Sequence, residues 1–143
     1  MRAIKIDVMQ PAGLAEVARL YDTVGYRGGV APADVTIAAR SEGRVIGALR
    51  LCPEGGVIVL RGMHVLPGLQ RQGIGRVLLD HCVPYLDRGP AYCVPYAHLV
   101  AFYGRVGFAV APPASLPGFL AARLAGYVAA DRPTLAMRRL PPA

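Results

Sequence analysis

A chain of 143 residues with 54% hydrophobic content has the size of one domain with a real core, and none of its apolar runs reaches the roughly 18 residues that cross a bilayer. The net charge of +7 comes almost wholly from scattered arginines, Lys5 being the only lysine, so a small polyanionic partner is a more economical reading than nucleic acid. Cys52, Cys82 and Cys93 form no C-x-x-C pair, which argues against a disulfide framework or a metal site and leaves buried thiols as the plain reading.

The elements follow from periodicity. Ala3 to Val8 alternates, as a first strand does, and lacks the apolar block of a signal peptide; a cytoplasmic protein is the expectation. Pro11 opens a helix with Leu14, Val17, Ala18, Leu20, Tyr21 and Val24 on its apolar face, and Gly25 closes it. A glycine-rich loop, Tyr26 to Pro32, precedes strands over Val35–Arg40 and Arg44–Cys52, joined by the turn Ser41-Glu42-Gly43. Pro53-Glu54-Gly55-Gly56 turns into the central fourth strand from Val57, which Pro67 and Gly68 stop. A helix from Gly73 to about Leu86 ends before Arg88-Gly89-Pro90. Ala91–Val94 is a fifth strand, parallel to the fourth because a helix crosses between them. A helix over about Tyr96–Val106, a sixth strand at Ala109–Ala111, a helix over Phe119–Ala129 and a last strand at Thr134–Met137 complete a single domain over 1–143. The segment 112–130 has two readings, a lid over the site or packing against the sheet edge.

The loop Gln70-Arg71-Gln72-Gly73-Ile74-Gly75 joins a buried strand to a helix. A helix N-terminus offers unpaired N–H groups and the positive end of the macrodipole, so this arrangement suits a phosphate. It is not a P-loop, which ends Gly-Lys-Ser/Thr where this chain has Gly75-Arg76-Val77. Nor is it a Rossmann fingerprint, because Leu78 stands where a third glycine or alanine belongs. The spacing Gln70-x-x-Gly73-x-Gly75 resembles motif A of the GNAT acetyltransferase superfamily, which holds the pyrophosphate of acetyl-coenzyme A. Phe102-Tyr103-Gly104-Arg105-Val106-Gly107-Phe108 is similar to that family's late signature.

The resemblance implies an α/β (α+β) fold: a mixed, mostly antiparallel sheet of about six or seven strands flanked by helices, with a splay between the fourth and fifth. It implies an N-acetyltransferase that passes an acetyl group from acetyl-CoA, its cosubstrate, to a primary amine by direct attack, with no metal. The acceptor is then a small amine, a protein N-terminus or a lysine, no membrane takes part, and a homodimer is a state the resemblance admits. Met63 and Val65 would bond the pantetheine arm through their backbone. Gln70, Arg71, Gln72, Gly73, Ile74, Gly75 and Arg76 would hold the pyrophosphate, Arg71 and Arg76 adding charge-assisted contacts. Tyr103 is the expected general acid, since a phenol with a reference pKa near 10 is protonated at neutral pH; a structural tyrosine capping its helix is the alternative. His64 is a candidate base, and His98 a second histidine near the acceptor. Arg61, Tyr26 and Arg27 are acceptor-side candidates, with Arg61 sharing a face with Val59 and Met63 unless a bulge intervenes. Arg61 cannot be a base, and pairs either with an acceptor carboxylate or with Glu54 or Glu42. Where the family commonly has an asparagine seven residues before the tyrosine, this chain has Tyr96. Two other readings are transfer from a longer acyl-CoA, decided near Met63 and Cys93, and a nonenzymatic regulator binding coenzyme A or nucleic acid.

Overall fold

The computed structural model describes residues 3–143; Met1 and Arg2, which open the alternating N-terminal stretch, lie outside them. Seven strands form one sheet: β1 (Lys5–Val8), β2 (Val35–Ser41), β3 (Arg44–Glu54), β4 (Val57–Val65), β5 (Ala91–Cys93), β6 (Ala109–Val110) and β7 (Met137–Arg139), in the order β1-β2-β3-β4-β5-β7-β6. Four α-helices flank it: α1 (Leu14–Val24), α2 (Ile74–Leu86), α3 (Val100–Gly104) and α4 (Gly118–Ala129). The sheet is mixed and mostly antiparallel, with β4 and β5 parallel through Ile58–Ala91 and Val59–Tyr92. Those two positions are a small part of the nine-residue β4, and β5 itself has three residues. The mixed sheet with its parallel β4–β5 pair is the architecture expected from the sequence. Among the described residues no helix is long and apolar enough to cross a membrane, and no cluster of ligating side chains could hold a metal ion.

The chain divides into two compact units, Met1–Cys52 with Leu60–Tyr85 and Pro53–Val59 with Leu86–Ala143. In the first, α1 buries Val17, Leu20 and Tyr21, the positions its 3.6-residue period assigns to one face. A 3-10 turn at Pro11–Gly13 precedes α1, so the helix begins three residues later than Pro11. β1 begins at Lys5, not Ala3, because its partner across the ladder, Arg40, lies one residue from the end of β2.

In the second unit, fully buried Leu120 of α4 packs with Val59 and Tyr92, and Val57, Leu116 and Phe119 close around them. An ion pair from Arg123 to Glu54, 2.7 Å, ties the same helix to the end of β3. Of the two readings of residues 112–130, packing against strands is what Leu120 does. β7 runs over Met137–Arg139, displaced toward the C-terminus from the expected Thr134–Met137. It includes a buried arginine, Arg139, whose Nη2 donates to Asp87 at 2.7 Å and whose Nε donates to the Val106 carbonyl at 2.6 Å. The expected helix over 96–106 is a 3-10 turn at Ala97–Leu99 followed by α3. Tyr96 bridges to Thr134 and Ala97 N–H bonds to the Pro133 carbonyl, which draws this backbone sideways instead of into a helix.

Candidate active site

The loop between β4 and α2 presents its backbone to solvent. Residues 70–73 are exposed, Ile74 anchors the helix start at 2% exposure, and Val77 N–H bonds to the Gly73 carbonyl at 3.0 Å. Arg71 and Gly73 adopt left-handed conformations, with φ of 66° and 81°. A non-glycine residue in that region carries a conformational cost, and loops that carry such a cost cluster at ligand sites. Gln70 does not extend outward: its Nε2 donates to the Val65 carbonyl at 3.2 Å and so pins the loop to the end of β4. The first turn of a 13-residue helix leaves N–H groups without intrahelical partners, and exposed Arg71 and Arg76 add positive charge. This set of donors suits a polyanion.

The second concentration of chemistry lies around the middle of β4. Gly62 has φ 67°, a left-handed kink within β4. Tyr21 of α1 donates its hydroxyl proton to the Gly62 carbonyl at 2.9 Å, and a Cβ at Gly62 would stand 2.5 Å from that hydroxyl oxygen. His64 packs against Tyr21 and Tyr26, with ring centroids at 6.1 Å and 4.9 Å. Arg61 acts electrostatically on the thiol of Cys52, which Arg50 contacts at 3.3 Å beneath the same tyrosines. His64, Tyr21, Tyr26, Arg50 and Cys52 therefore form one connected cluster.

Tyr26 arrives there through the end of α1. Gly25 closes the helix at φ 77°, and Tyr26 N–H bonds back to the Tyr21 carbonyl at 2.9 Å, bringing the two rings edge to face with centroids 4.7 Å apart. The chain then folds over the phenol, and only a glycine fits at position 28, because a Cβ there would overlap the Tyr26 hydroxyl. Beneath lies Arg50 of β3, 3% exposed. Its Nη1 donates to Asp34 at 2.7 Å, and its Nη2 to Tyr26 Oη at 2.8 Å and to the Gly28 carbonyl at 3.4 Å. Its guanidinium lies 5.9 Å and 5.8 Å from the Tyr21 and Tyr26 ring centroids. Arg27 is exposed on the same loop.

Burial governs the ionisation of this cluster. It holds the His64 imidazole below its ordinary value, so the ring is neutral at physiological pH. It pushes the Cys52 thiol up to about 12, against the opposing pull of Arg50, which makes that sulfur inert. It raises the Tyr21 phenol as well. Burial also works against the Arg50 charge, but Cys52, the Asp34 hydrogen bond and Tyr26 outweigh it and leave the guanidinium more firmly protonated than usual.

In the second unit Tyr103 is 5% exposed on α3 and packs edge to face with Phe102 and Phe108, centroids 5.0 Å and 6.2 Å away. His98 is exposed and stacks on Tyr96 at 6.0 Å. Glu54, one of the expected partners of Arg61, gives both its carboxylate oxygens to Arg123. All three cysteines are buried and none forms a disulfide among the described residues. Sequence reasoning missed Arg50, Asp34 and the kink-holding role of Tyr21. The available signal was Arg50 itself, a lone charge inside the apolar run Val45–Cys52.

A seven-stranded mixed sheet with a parallel β4–β5 pair and a donor-rich loop heading α2 defines a class of acyl-transfer domains. The family model for the acetyltransferase (GNAT) domain matches residues 32–110, more than half of the chain. The chain belongs to the GNAT acetyltransferase family. A search of the curated proteins finds no match. Among solved structures, the ribosomal-protein-S18-alanine N-acetyltransferase from Escherichia coli superposes with a TM-score of 0.71 at 16% identity, over 99% of this chain and 96% of that one. An acyl-CoA N-acyltransferase from Pseudomonas aeruginosa gives a TM-score of 0.68 at 20% identity, over 97% and 99%. The N-acetylglutamate synthase from Neisseria gonorrhoeae complexed with coenzyme A and N-acetyl-glutamate gives 0.67 at 15% identity, over 100% of this chain and 36% of that one. At these identities the likeness is one of fold.

Proposed function

We propose that this chain is an N-acetyltransferase, acting as one catalytic domain in the cytoplasm, that moves an acetyl group from acetyl-CoA to a primary amine. The observation that carries this reading is the Gln70–Arg76 loop: exposed backbone at a helix N-terminus, left-handed at Arg71 and Gly73, with two exposed arginines beside it. Family membership supports it, as does the fact that one structural neighbour is complexed with coenzyme A.

Bound acetyl-CoA would supply an activated thioester. The chain's own residues then have four tasks. The Gln70–Arg76 amides, with Arg71 and Arg76, take the pyrophosphate, and the backbone of Met63 and Val65 orients the pantetheine arm. His64, neutral because it is buried, accepts the proton that the acceptor ammonium must lose before its nitrogen can attack. Tyr103 gives a proton to the departing thiolate. Arg61, Tyr26, Arg27 and His98 are the residues we assign to the acceptor amine. The cradle is tested by isothermal titration of coenzyme A into the wild type and Gly73→Glu. Gly73 has open space where a side chain would begin, so the glutamate adds negative charge without an internal clash, although its φ of 81° carries some strain. Binding lost with the fold intact by circular dichroism is the expected result; equal affinity would remove the cradle.

A further inference from the structure

We propose that Arg50 is a positioning residue of the acceptor side: braced by Asp34, it fixes the Tyr26 phenol across the imidazole of His64 and so holds the ring in one orientation, shielded from water. This rests on the acceptor-side reading above and adds to it a group that does not itself touch substrate.

Three observations support the assignment. The Arg50–Asp34 pair is buried on both sides, with side-chain exposures of 4% and 7%. Buried ion pairs contribute little net stability, because desolvation consumes most of the attraction. Arg50 Nε is moreover buried without a hydrogen-bond partner among the described residues, a further cost that an apolar side chain would avoid. A charge kept there is better explained by what it holds. What it holds is specific: one Nη2 bonds both the Tyr26 hydroxyl and the Gly28 carbonyl, the two ends of the turn that folds over the phenol. Tyr26 is in turn the aromatic ring nearest His64, at 4.9 Å.

The rings against the imidazole are Tyr21 from α1 and Tyr26 from the segment between α1 and β2, and the titratable groups tied to those rings are Arg50 and, through it, Asp34 and Cys52. Asp34 is engaged by Arg50 and Cys52 is an un-ionised thiol, so burial is what depresses the imidazole. Loosening Tyr26 admits water and should return His64 toward the ordinary value of about 6.5. An unprotonated base would then require higher pH, and the acid limb of kcat/KM should move upward.

Two variants release the phenol from opposite ends. Tyr26→Phe removes the acceptor oxygen and keeps the ring. Asp34→Leu/Arg50→Met removes the ion pair as a whole, so that no lone charge stays buried. Imidazole NMR titration reads His64 directly, without any catalytic assay, and the pH profile of kcat/KM is measured alongside. The expected result is an upward shift of the His64 titration in both variants, a raised KM for the acceptor amine and an unchanged KM for acetyl-CoA. A His64 titration that stays in place in the well-folded Tyr26→Phe protein overturns the proposal. If the NMR titration moves while the acid limb of kcat/KM does not, Arg50 positions His64 as proposed, and it is the base role of His64 that fails.

Discussion

Replacing Gly62 by alanine probes the left-handed kink that Tyr21 holds in β4. Two costs add. A non-glycine residue at φ 67° costs about 1–2 kcal/mol. A Cβ 2.5 Å from Tyr21 Oη and 3.2 Å from Tyr26 Cε2 forces a shift in a packed cluster, worth about 1–3 kcal/mol. A central figure of about 3 kcal/mol lowers the melting temperature by about 6–12 °C in a chain of this size. Tyr21→Phe alone loses one hydrogen bond to the Gly62 carbonyl, about 1 kcal/mol. The double variant Gly62→Ala/Tyr21→Phe removes the oxygen that the new methyl meets, so its loss should fall below the sum of the two single losses by about 1 kcal/mol or more, a coupling expected of touching groups. Thermal and urea denaturation followed by circular dichroism measure all three. Strictly additive losses would show that the methyl does not meet the Tyr21 hydroxyl, and a Gly62→Ala protein as stable as the wild type would remove the kink from the account.

Tyr103→Phe should lower turnover by about 10²–10⁴-fold, the range of general acid catalysis, with acetyl-CoA affinity by titration unchanged. Full turnover, with chemistry shown to be rate-limiting, would assign the phenol to packing against Phe102 and Phe108. Arg61→Gln, assayed on paired amines with and without a carboxylate, should lose activity selectively on the carboxylated members, since a guanidinium pairs with a carboxylate in two-pronged geometry. Equal loss on every amine, or a large fall in melting temperature, would return Arg61 to a structural role.

Much of the fold was legible because its signals are local. Alternation marks β1, apolar runs mark β2 and β3, glycine and proline mark the turns, and 3.6-residue spacing marks α1, α2 and α4. The loop that heads α2 was legible for the same reason: Gln70 to Gly75 is one short segment. What escaped depends on partners distant in sequence. Arg139 lies in β7 because Asp87 and the Val106 carbonyl satisfy its charge, and strand patterns give no reason to bury an arginine. The helix expected from Tyr96 is broken by the 133–134 backbone, which bonds to residues 96 and 97. β4 is kinked at a left-handed Gly62, held by a tyrosine 41 positions earlier. A glycine in a strand pattern signals that a kink is allowed, and only the packing of Tyr21 selects it.

The central claim is acetyl transfer to an amine, and its most direct measurement is the release of free thiol from acetyl-CoA across a panel of small amines, amino acids and peptides, with acetylated product identified by mass spectrometry. Amine-dependent thiol release matched by acetylated product, and absent with Gly73→Glu, is the predicted result. Coenzyme A binding without product on any amine would contradict the claim and leave a coenzyme A-binding protein that does not catalyse the transfer.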